Sequence, residues 1–313
     1  MSRSEPRAAH GVLVLDKPAG PTSHDVVARV RRALGTRSVG HAGTLDPMAT
    51  GVLVVAVGEG TKLVAYLTAD DKEYEAEVTL GTATSTLDAA GETTEAVEVP
   101  RLTEGDVDRV LGRFVGCLWQ QAPMVSAIKV RGRALHARVR RGEQVEPAVR
   151  EVRVHRLQRL AFDGRRIRLR VHCGKGFYVR SLARDLGHAL GTVAHLSALR
   201  RLRSGVFGLA GALPFDVVQR AADGEVEARD TLLAALQPLE QACRALPCLQ
   251  LTPEGAADAR HGRRIDAARL AGPGAADLPP DATCALLDPD GHLVALARLE
   301  GPRLRVVRGI RQT

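Results

Sequence analysis

The residue in this sequence with the clearest capacity for chemistry is Asp46. It lies in the segment Gly40-His-Ala-Gly-Thr-Leu-Asp-Pro-Met-Ala-Thr-Gly51, between a predicted helix and a run of aliphatic residues. Pro47 disfavours helical backbone angles at Asp46 and stiffens the loop. A carboxylate held in this way can act as a nucleophile in covalent catalysis. An Asp-Pro pair in a glycine-rich loop is also common turn chemistry, so the residues alone leave both interpretations open.

Basic side chains are concentrated in one part of the chain. Between Lys129 and Arg203 there are 20 Lys or Arg and 5 Asp or Glu, a net charge of +15, whereas the whole chain carries +8. A positive field of this size attracts polyanions and speeds their capture. Solvated faces of an arginine-rich protein are the alternative explanation. Only nine residues are aromatic, too few for an extended base-stacking platform, so a folded RNA gripped by its backbone and shape fits better than a single strand.

Motifs for cofactors and metals are missing from the sequence. It has no glycine-rich nucleotide-binding motif, and no closely spaced histidine or cysteine pairs. We therefore expect no cofactor, no metal and no structural disulfide. The polar start Met1–His10 lacks a signal-peptide core, and the aliphatic run Val52–Val57 is too short to cross a bilayer, so we expect a cytoplasmic protein without membrane contact. The five cysteines are Cys117, Cys173, Cys243, Cys248 and Cys284.

Apolar patterns predict the elements that position Asp46. Residues Gly11–Asp16 indicate a short buried strand, and Val52–Val57 indicates another. Between them, Thr22 is a predicted N-cap with Asp25 three residues later, and the helix should end before Gly35. The apolar stripe of this helix comprises Val26, Val27, Val30, Ala33 and Leu34.

Further along the chain, strands and helices alternate irregularly. Residues Lys72–Leu80 alternate as a strand with Tyr74 on its apolar face, and Thr103–Val115 has helical spacing. Residues Ile167–Val171 form a strand that is apolar inside and basic outside, and a helix follows Gly176. We expect an α+β fold around a mixed, largely antiparallel sheet.

The C-terminal part has a different pattern. Residues 219–240 are predicted to be a partly acidic helical connector, followed by a small, mostly β unit. The expected domains are therefore 1–235 and 240–313.

Several segments together resemble one enzyme family. In order along the chain, the matching blocks are Gly11–Ser23, Gly40–Gly51, Gly58–Lys62, Lys72–Ala76, Pro123–Lys129, Cys173–Arg180 and Leu196–Leu202. They are similar to the motifs of bacterial tRNA pseudouridine synthases of the TruB type, and the match covers roughly residues 10–215.

This resemblance implies a fold and a reaction. It implies the pseudouridine synthase fold followed by a PUA-like RNA-binding domain, with a basic RNA-clamping insertion at about 124–147. It implies an isomerase that flips a uridine out of the T-loop of tRNA, at position 55, and converts it to pseudouridine with an Asp nucleophile and no cofactor. The expected partner is the T-arm of tRNA, without a guide RNA, bound by a monomer.

Roles for individual residues also follow from the resemblance. Asp46 matches the nucleophile, Arg180 the active-site arginine that would pair with it, and Tyr74 the tyrosine that stacks on the target base. Substrate-binding roles are implied for His41, Tyr178, Leu199, Lys17, Lys62 and Lys129.

The chain departs from the family pattern in places, and other functions stay open. Val125 and His136 stand where a tyrosine is common, and Ser85 stands where an aspartate is usual. The alternatives are a non-catalytic protein that binds or folds tRNA, a guide-RNA-dependent synthase, and a synthase acting on another RNA. Asp46 separates the first of these from an enzyme, because a binding protein has no need of a nucleophile.

Overall fold

The computed structural model describes residues 9–124, 129–130, 133–134, 149–272 and 278–311. The predicted insertion at 124–147 therefore lies almost wholly outside the described residues. In chain order, the elements before residue 205 are β1 (Gly11–Lys17), α1 (Ser23–Leu34), β2 (Val39–His41), β3 (Thr50–Val57), α2 (Val64–Ala69), β4 (Lys72–Leu80), β5 (Thr82–Thr84), β6 (Thr93–Ala96), α3 (Glu104–Gly112), β7 (Gly116–Gln121), β8 (Lys129–Val130), β9 (Arg133–Ala134), β10 (Val149–Phe162), β11 (Arg166–Cys173), α4 (Val179–Ala189) and β12 (Ala194–Ser204). The later elements are β13 (Phe207–Gly208), β14 (Leu213–Pro214), α5 (Phe215–Ala222), α6 (Val226–Ala234), α7 (Leu239–Ala242), β15 (Cys248–Gln250), α8 (Pro253–Arg260), β16 (Thr283–Leu287), β17 (Leu293–Glu300) and β18 (Arg303–Gly309).

A large mixed sheet dominates the described part of the chain. Its strand order is β14-β1-β3-β12-β4-β11-β10-β7, with β2 paired to β3 and β13 paired to β12. The pairs β1–β14 and β3–β12 are parallel, and the other neighbours are antiparallel. The prediction of a mixed, largely antiparallel sheet is confirmed.

Local sequence signals correctly locate the first helix. Thr22 and Asp25 form the predicted reciprocal capping box at the start of α1, and Gly35 ends the helix in the left-handed conformation. The whole predicted apolar stripe is buried. This helix packs against α5, and its first residue, Ser23, is hydrogen-bonded to Leu45 in the loop that carries Asp46.

The central strands also follow the predicted alternation. Ile167, Leu169 and Val171 on β11 are fully buried, while the intervening Arg168 and Arg170 are more exposed. On β4, Ala76, Val78 and Leu80 face the same core. The pairing of β12 with β3 and β4 places the end of β12 beside the loop that carries Asp46.

Two sequence-based boundaries were wrong. The predicted helix Thr103–Val115 ends at Gly112, and Val115 lies outside it with 44% of its surface exposed. Residues 219–240 are helical but are more than a connector. Helix α5 begins at Phe215 and buries Val217, Val218 and Ala221 in the main core, because an apolar helix face is stabilised only when it packs against a partner.

The C-terminal strands form a separate four-stranded sheet, in the order β15-β16-β17-β18. It contacts the first part of the chain through polar bonds as well as a shared apolar cluster. The Lys62 ammonium donates to the carbonyl of Gly309 at 2.8 Å, and the backbone N–H of Arg311 donates to the Glu59 carboxylate at 2.7 Å. Within the described residues, no helix is both long enough and apolar enough to span a membrane.

Candidate active site

Asp46 lies on a loop that is anchored to the helix before it and to the strand after it. The Ser23 hydroxyl, at the start of α1, accepts from the backbone N–H of Leu45 at 2.9 Å and donates to its carbonyl at 3.1 Å. The N–H of Ala49 donates to the carbonyl of Asp46 at 3.0 Å and closes a turn around Pro47. Because Leu45 and Ala49 are buried, the main chain on both sides of Asp46 is fixed.

Two buried cations, Lys17 and Arg201, donate hydrogen bonds to backbone carbonyls of the same loop and its flanks. The Lys17 ammonium donates to the carbonyls of Pro18 and Ala49 at 2.8 Å and of Pro47 at 3.3 Å. The Arg201 guanidinium donates to the carbonyl of Val52 at 2.6 Å and, through its two terminal nitrogens, to carbonyls on the N-terminal side of the loop. Those carbonyls belong to Gly43, at 3.1 Å, and Thr44, at 3.5 Å.

The substrate-binding role implied for Lys17 does not agree with its position in the structure. Its side chain is fully buried and its donors point at backbone carbonyls, so it cannot reach a ligand in solvent. Burial lowers the pKa of Lys17 to about 8, and the nearby Asp46 carboxylate opposes that shift. Lys17 therefore positions the loop, and sequence reasoning missed this role because a lysine in an Asp-Lys-Pro turn is usually exposed.

Arg180 reaches Asp46 from the first turn of α4. Its Nε lies 2.9 Å from Asp46 Oδ2, and a terminal nitrogen donates to Oδ1 at 3.0 Å. Another terminal nitrogen donates to the carbonyl of Thr86 at 3.1 Å. The structure thus brings together two residues 134 positions apart, as their predicted pairing requires.

A second carboxylate, that of Asp88, also lies near Arg180. Asp88 Oδ2 is 3.7 Å from Arg180 Nε, and Asp88 is itself fixed by a 2.6 Å hydrogen bond from the Thr86 hydroxyl. Sequence reasoning did not single out Asp88 for this position. It adds negative charge beside a guanidinium that already faces Asp46.

Burial and charge act in opposite directions on Asp46. Burial raises the pKa of the carboxyl and is the largest effect, and the charge of Asp88 raises it further, whereas the Arg180 and Lys17 cations lower it. The net pKa is raised. The Arg180 guanidinium favours the ionised carboxylate, but burial outweighs this contribution.

The Asp46–Arg180 pair opens into a cavity of about 430 Å³. This volume lies in the range of sites for small molecules and single nucleotides. Asp46 keeps 27% of its side chain exposed there, whereas Arg180 keeps 6%. Three other predicted site residues, Tyr74, Tyr178 and Leu199, also line the cavity.

Both tyrosines in the cavity wall are held in place. Tyr74 lies opposite Arg201 in the pairing of β4 with β12, and burial raises the pKa of its hydroxyl. The Gln120 side chain brackets the backbone of Tyr178, accepting from its N–H at 2.8 Å and donating to its carbonyl at 3.1 Å. The Arg150 guanidinium lies 5.0 Å from the centre of the Tyr178 ring. Arg201 therefore links the predicted base-stacking residue to the loop of Asp46.

Two further predicted site residues, His41 and Lys62, lie outside the cavity wall. His41, on β2, packs edge-on against His24 with ring centres 5.2 Å apart, and His24 lines the cavity. Burial lowers the pKa of His41 to about 4, so its ring is neutral at physiological pH. Lys62 lies at the junction with the C-terminal sheet and pairs with Glu59 at 2.6 Å. Lys129 lies on the short strand β8, whose side chains are outside the described residues.

The chain matches known families along most of its length. Residues 31–179 match the N-terminal domain of the TruB family pseudouridylate synthases. Residues 180–244 match the C-terminal domain of tRNA pseudouridylate synthase B, and residues 246–311 match the C-terminal region of tRNA pseudouridine synthase II.

Individual proteins give the same result. The tRNA pseudouridine synthase B of Corynebacterium aurimucosum is 42% identical over 97% of both chains. The one of Thermobifida fusca is 45% identical over 92% of this chain and 94% of its own. A solved H/ACA RNP, bound to a substrate RNA containing 2'-deoxyuridine, has a chain that is 26% identical with a TM-score of 0.72, covering 99% of this chain and 92% of its own. A chain of an archaeal box H/ACA sRNP complex is also 26% identical, with a TM-score of 0.74, and the match covers 99% of this chain and 93% of that one.

Proposed function

The chain belongs to the TruB family of pseudouridine synthases, and we propose that it isomerises a uridine in the T-loop of tRNA to pseudouridine. One observation supports this proposal above the others. A partly exposed carboxylate, Asp46, lies against a buried guanidinium, Arg180, at the bottom of a cavity walled by Tyr74 and Tyr178. A protein that only binds RNA has no use for a nucleophile paired in this way.

The reaction requires no group donor. The bond between N1 of uracil and C1' of the ribose breaks, the base turns, and a bond forms between C5 and C1'. The proton on C5 is lost, and N1 gains one. Asp46 supplies the carboxylate that forms the covalent intermediate, with either the sugar or the base.

The neighbours of Asp46 orient its carboxylate and favour its ionised form. Arg180 contacts both of its oxygens, and Lys17 and Arg201 hold the loop, so little reorganisation is needed when the substrate arrives. Tyr74 stacks on the extruded base and takes part in removing the C5 proton. Tyr178 and Leu199 complete the pocket for uracil.

Access to this site requires a change in the RNA. The carboxylate lies inside a cavity, so a uridine stacked in a folded arm must first flip out. His41 lies behind the cavity wall, where it supports the contacts that replace the lost stacking. We propose the T-arm of one tRNA as the partner, bound by a monomer without a guide RNA, and domains at 1–235 and 240–313, the second a PUA-like RNA-binding unit.

Release of tritium from tRNA labelled at C5 of its uridines tests the proposed substrate. The wild-type chain should release about one equivalent per tRNA, and replacing the T-loop uridine should abolish this release. Changes confined to the anticodon arm serve as the control and should have little effect. Release that survives loss of the T-loop uridine would assign the chain to another target, and no release from any RNA would favour a binding protein.

A further inference from the structure

Three potential metal ligands meet on the strands beside the active-site cavity. Asp71, His155 and His172 each bring one ligand atom within 4.8 Å of the other two, the one such group of three in the described part of the chain. Asp71 Oδ2 lies 3.2 Å from His155 Nε2 and 3.7 Å from His172 Nε2. The two imidazole rings are 4.7 Å apart and tilted by 41°. The three potential ligand atoms therefore form one compact group.

The fold fixes these residues from three separate elements. Asp71 directly precedes β4, and its carbonyl accepts from the N–H of Gly205 at 2.9 Å. His172 lies near the end of β11, and His155 lies in β10 where the register shifts between Val154 and Arg156. A β-bulge of this kind turns a side chain out of the regular alternation, and here it turns His155 towards His172.

We propose that Asp71, His155 and His172 form a binding site for a divalent transition-metal ion of the zinc type. Zinc binds imidazole nitrogens and carboxylate oxygens at about 2.0–2.2 Å, so two ligand atoms in a tetrahedral site lie about 3.3 Å apart. The separations of 3.2 and 3.7 Å already approach that spacing. The three side chains keep 44%, 31% and 32% of their surface exposed, which leaves room for a water or an RNA oxygen as a fourth ligand.

One cation competes for this site. A terminal nitrogen of Arg203 lies 3.3 Å from His172 Nε2, the atom that would bind the metal. Arg203 also contacts the Glu73 carboxylate at 3.5 Å and the carbonyl of Gly205 at 3.0 Å. It can therefore give up the imidazole and keep two other partners. Metal binding to His172 would therefore displace one contact with Arg203.

The three proposed ligands are far apart in the sequence, so their spacing could not indicate a metal site. Metal motifs are recognised when ligands lie close together in sequence, whereas these three come from positions 71, 155 and 172. Lys72, which follows Asp71, and Gly174, two residues after His172, line the cavity that holds Asp46. A bound ion would thus join β10, β11 and the residue before β4 close to that cavity.

Titration of the metal-free full chain with ZnCl2 alone, followed by calorimetry, tests the proposal. We expect one equivalent to bind, and His155→Gln, His172→Gln and Asp71→Asn each to weaken binding at least about tenfold, since each removes a ligand. The matched control is His188→Gln, because His188 is an exposed histidine on α4 away from the cluster, and it should bind as the wild type does. Zinc should also raise the melting temperature of the wild type, because binding to the folded state stabilises it.

The Arg203→Gln variant separates a built site from chance binding to surface histidines. Removal of the competing cation should tighten zinc binding several-fold. Cobalt should give the intense visible absorption of a four-coordinate ion in the wild type and lose it in His172→Gln. The proposal would be overturned if the cluster variants bound zinc like the His188→Gln control, or if Arg203→Gln bound it no more tightly than the wild type. Thermal unfolding in a chelator verifies that each variant is folded.

Discussion

At the scale of single residues, two opposing effects on the pKa of Asp46 are central to the proposed mechanism. Burial raises the pKa of this carboxyl, and the Arg180 guanidinium lowers it. In the proposed mechanism the ionised carboxylate is the nucleophile, so we expect the rate to fall as the pH falls through the pKa of Asp46. The acid limb of the pH–rate profile therefore reports the electrostatic effect of Arg180 on its partner.

Replacement of Arg180 should affect the rate and the pH limb together. In Arg180→Met the cation that lowers the pKa of Asp46 is gone, so the pKa rises further and the acid limb moves to higher pH. We expect the single-turnover rate to fall at least about a hundredfold, because a preorganised charge at the reacting group is lost. Affinity for tRNA, measured by filter binding, should change far less.

The Arg180→Lys variant separates charge from geometry. It keeps the cation but loses the planar group that contacts both oxygens of Asp46. The acid limb should return towards the wild-type position while the rate stays low. An unmoved acid limb with a normal rate in Arg180→Met would show that the contact at 2.9 Å has no part in catalysis.

At the scale of elements, two buried cations keep the loop of Asp46 in one conformation. Lys17 at the end of β1 binds carbonyls on the C-terminal side of Asp46, and Arg201 on β12 binds Gly43, Thr44 and Val52. The carbonyls of Gly43, Thr44 and Ala49 lie in the irregular loop outside the strands, so these side chains supply donors to acceptors that a strand ladder does not pair.

Removal of the Lys17 ammonium should therefore affect both stability and rate. Lys17→Met leaves buried carbonyls without donors, and we expect the free energy of unfolding to fall by about 2–4 kcal/mol. Displacement of Asp46 should lower the tritium-release rate by about tenfold to a hundredfold. Denaturant unfolding and single-turnover kinetics measure the two effects. The matched control is Lys175→Met, at an exposed lysine, which should unfold like the wild type. Equal stability of the two variants would contradict the bracing role.

The limits of prediction from sequence lie at this scale too. Helix α1 was predicted from its own residues, because Thr22, Asp25 and Gly35 are local signals. Residues Lys17 and Arg201 were not recognised as loop braces, since their partners are 32 and 149 positions away in sequence. The pairing of Asp46 with Arg180 came from a resemblance rather than from spacing. What depends on local periodicity could be predicted, and what depends on tertiary packing could not.

At the scale of the whole molecule, the uneven distribution of charge bears on how RNA would be captured. The segment from Lys129 to Arg203 has a net charge of +15 in a chain of +8, so the remainder is acidic overall. Many of its arginines in the described strands pair with carboxylates, as Arg170 does with Glu75 at 2.6 Å. The predicted insertion at about 124–147 contributes six of the Lys or Arg residues of this segment, and its side chains lie outside the described residues from Lys129 onwards.

Binding of tRNA should weaken steeply with salt, because contacts with phosphates release counterions. Replacement of Arg138, Arg140 and Arg141 together by Gln should flatten the plot of log affinity against log salt by roughly 2 to 3 units. Filter binding over a range of KCl concentrations measures the slope. A triple change at Arg32, Arg101 and Arg229, exposed arginines outside the basic segment, is the control. If both triple variants kept the wild-type slope, the insertion would not contact the RNA backbone.

The measurement that tests the central claim most directly is single-turnover tritium release by Asp46→Asn, alongside filter binding to the same tRNA. The amide keeps the size of the side chain but cannot act as the nucleophile, and phosphate contacts elsewhere supply most of the affinity. We predict no detectable release with tRNA affinity within a few-fold of the wild type. Release at a near wild-type rate would contradict the assignment of Asp46 as the nucleophile and, with it, the account of the site given above.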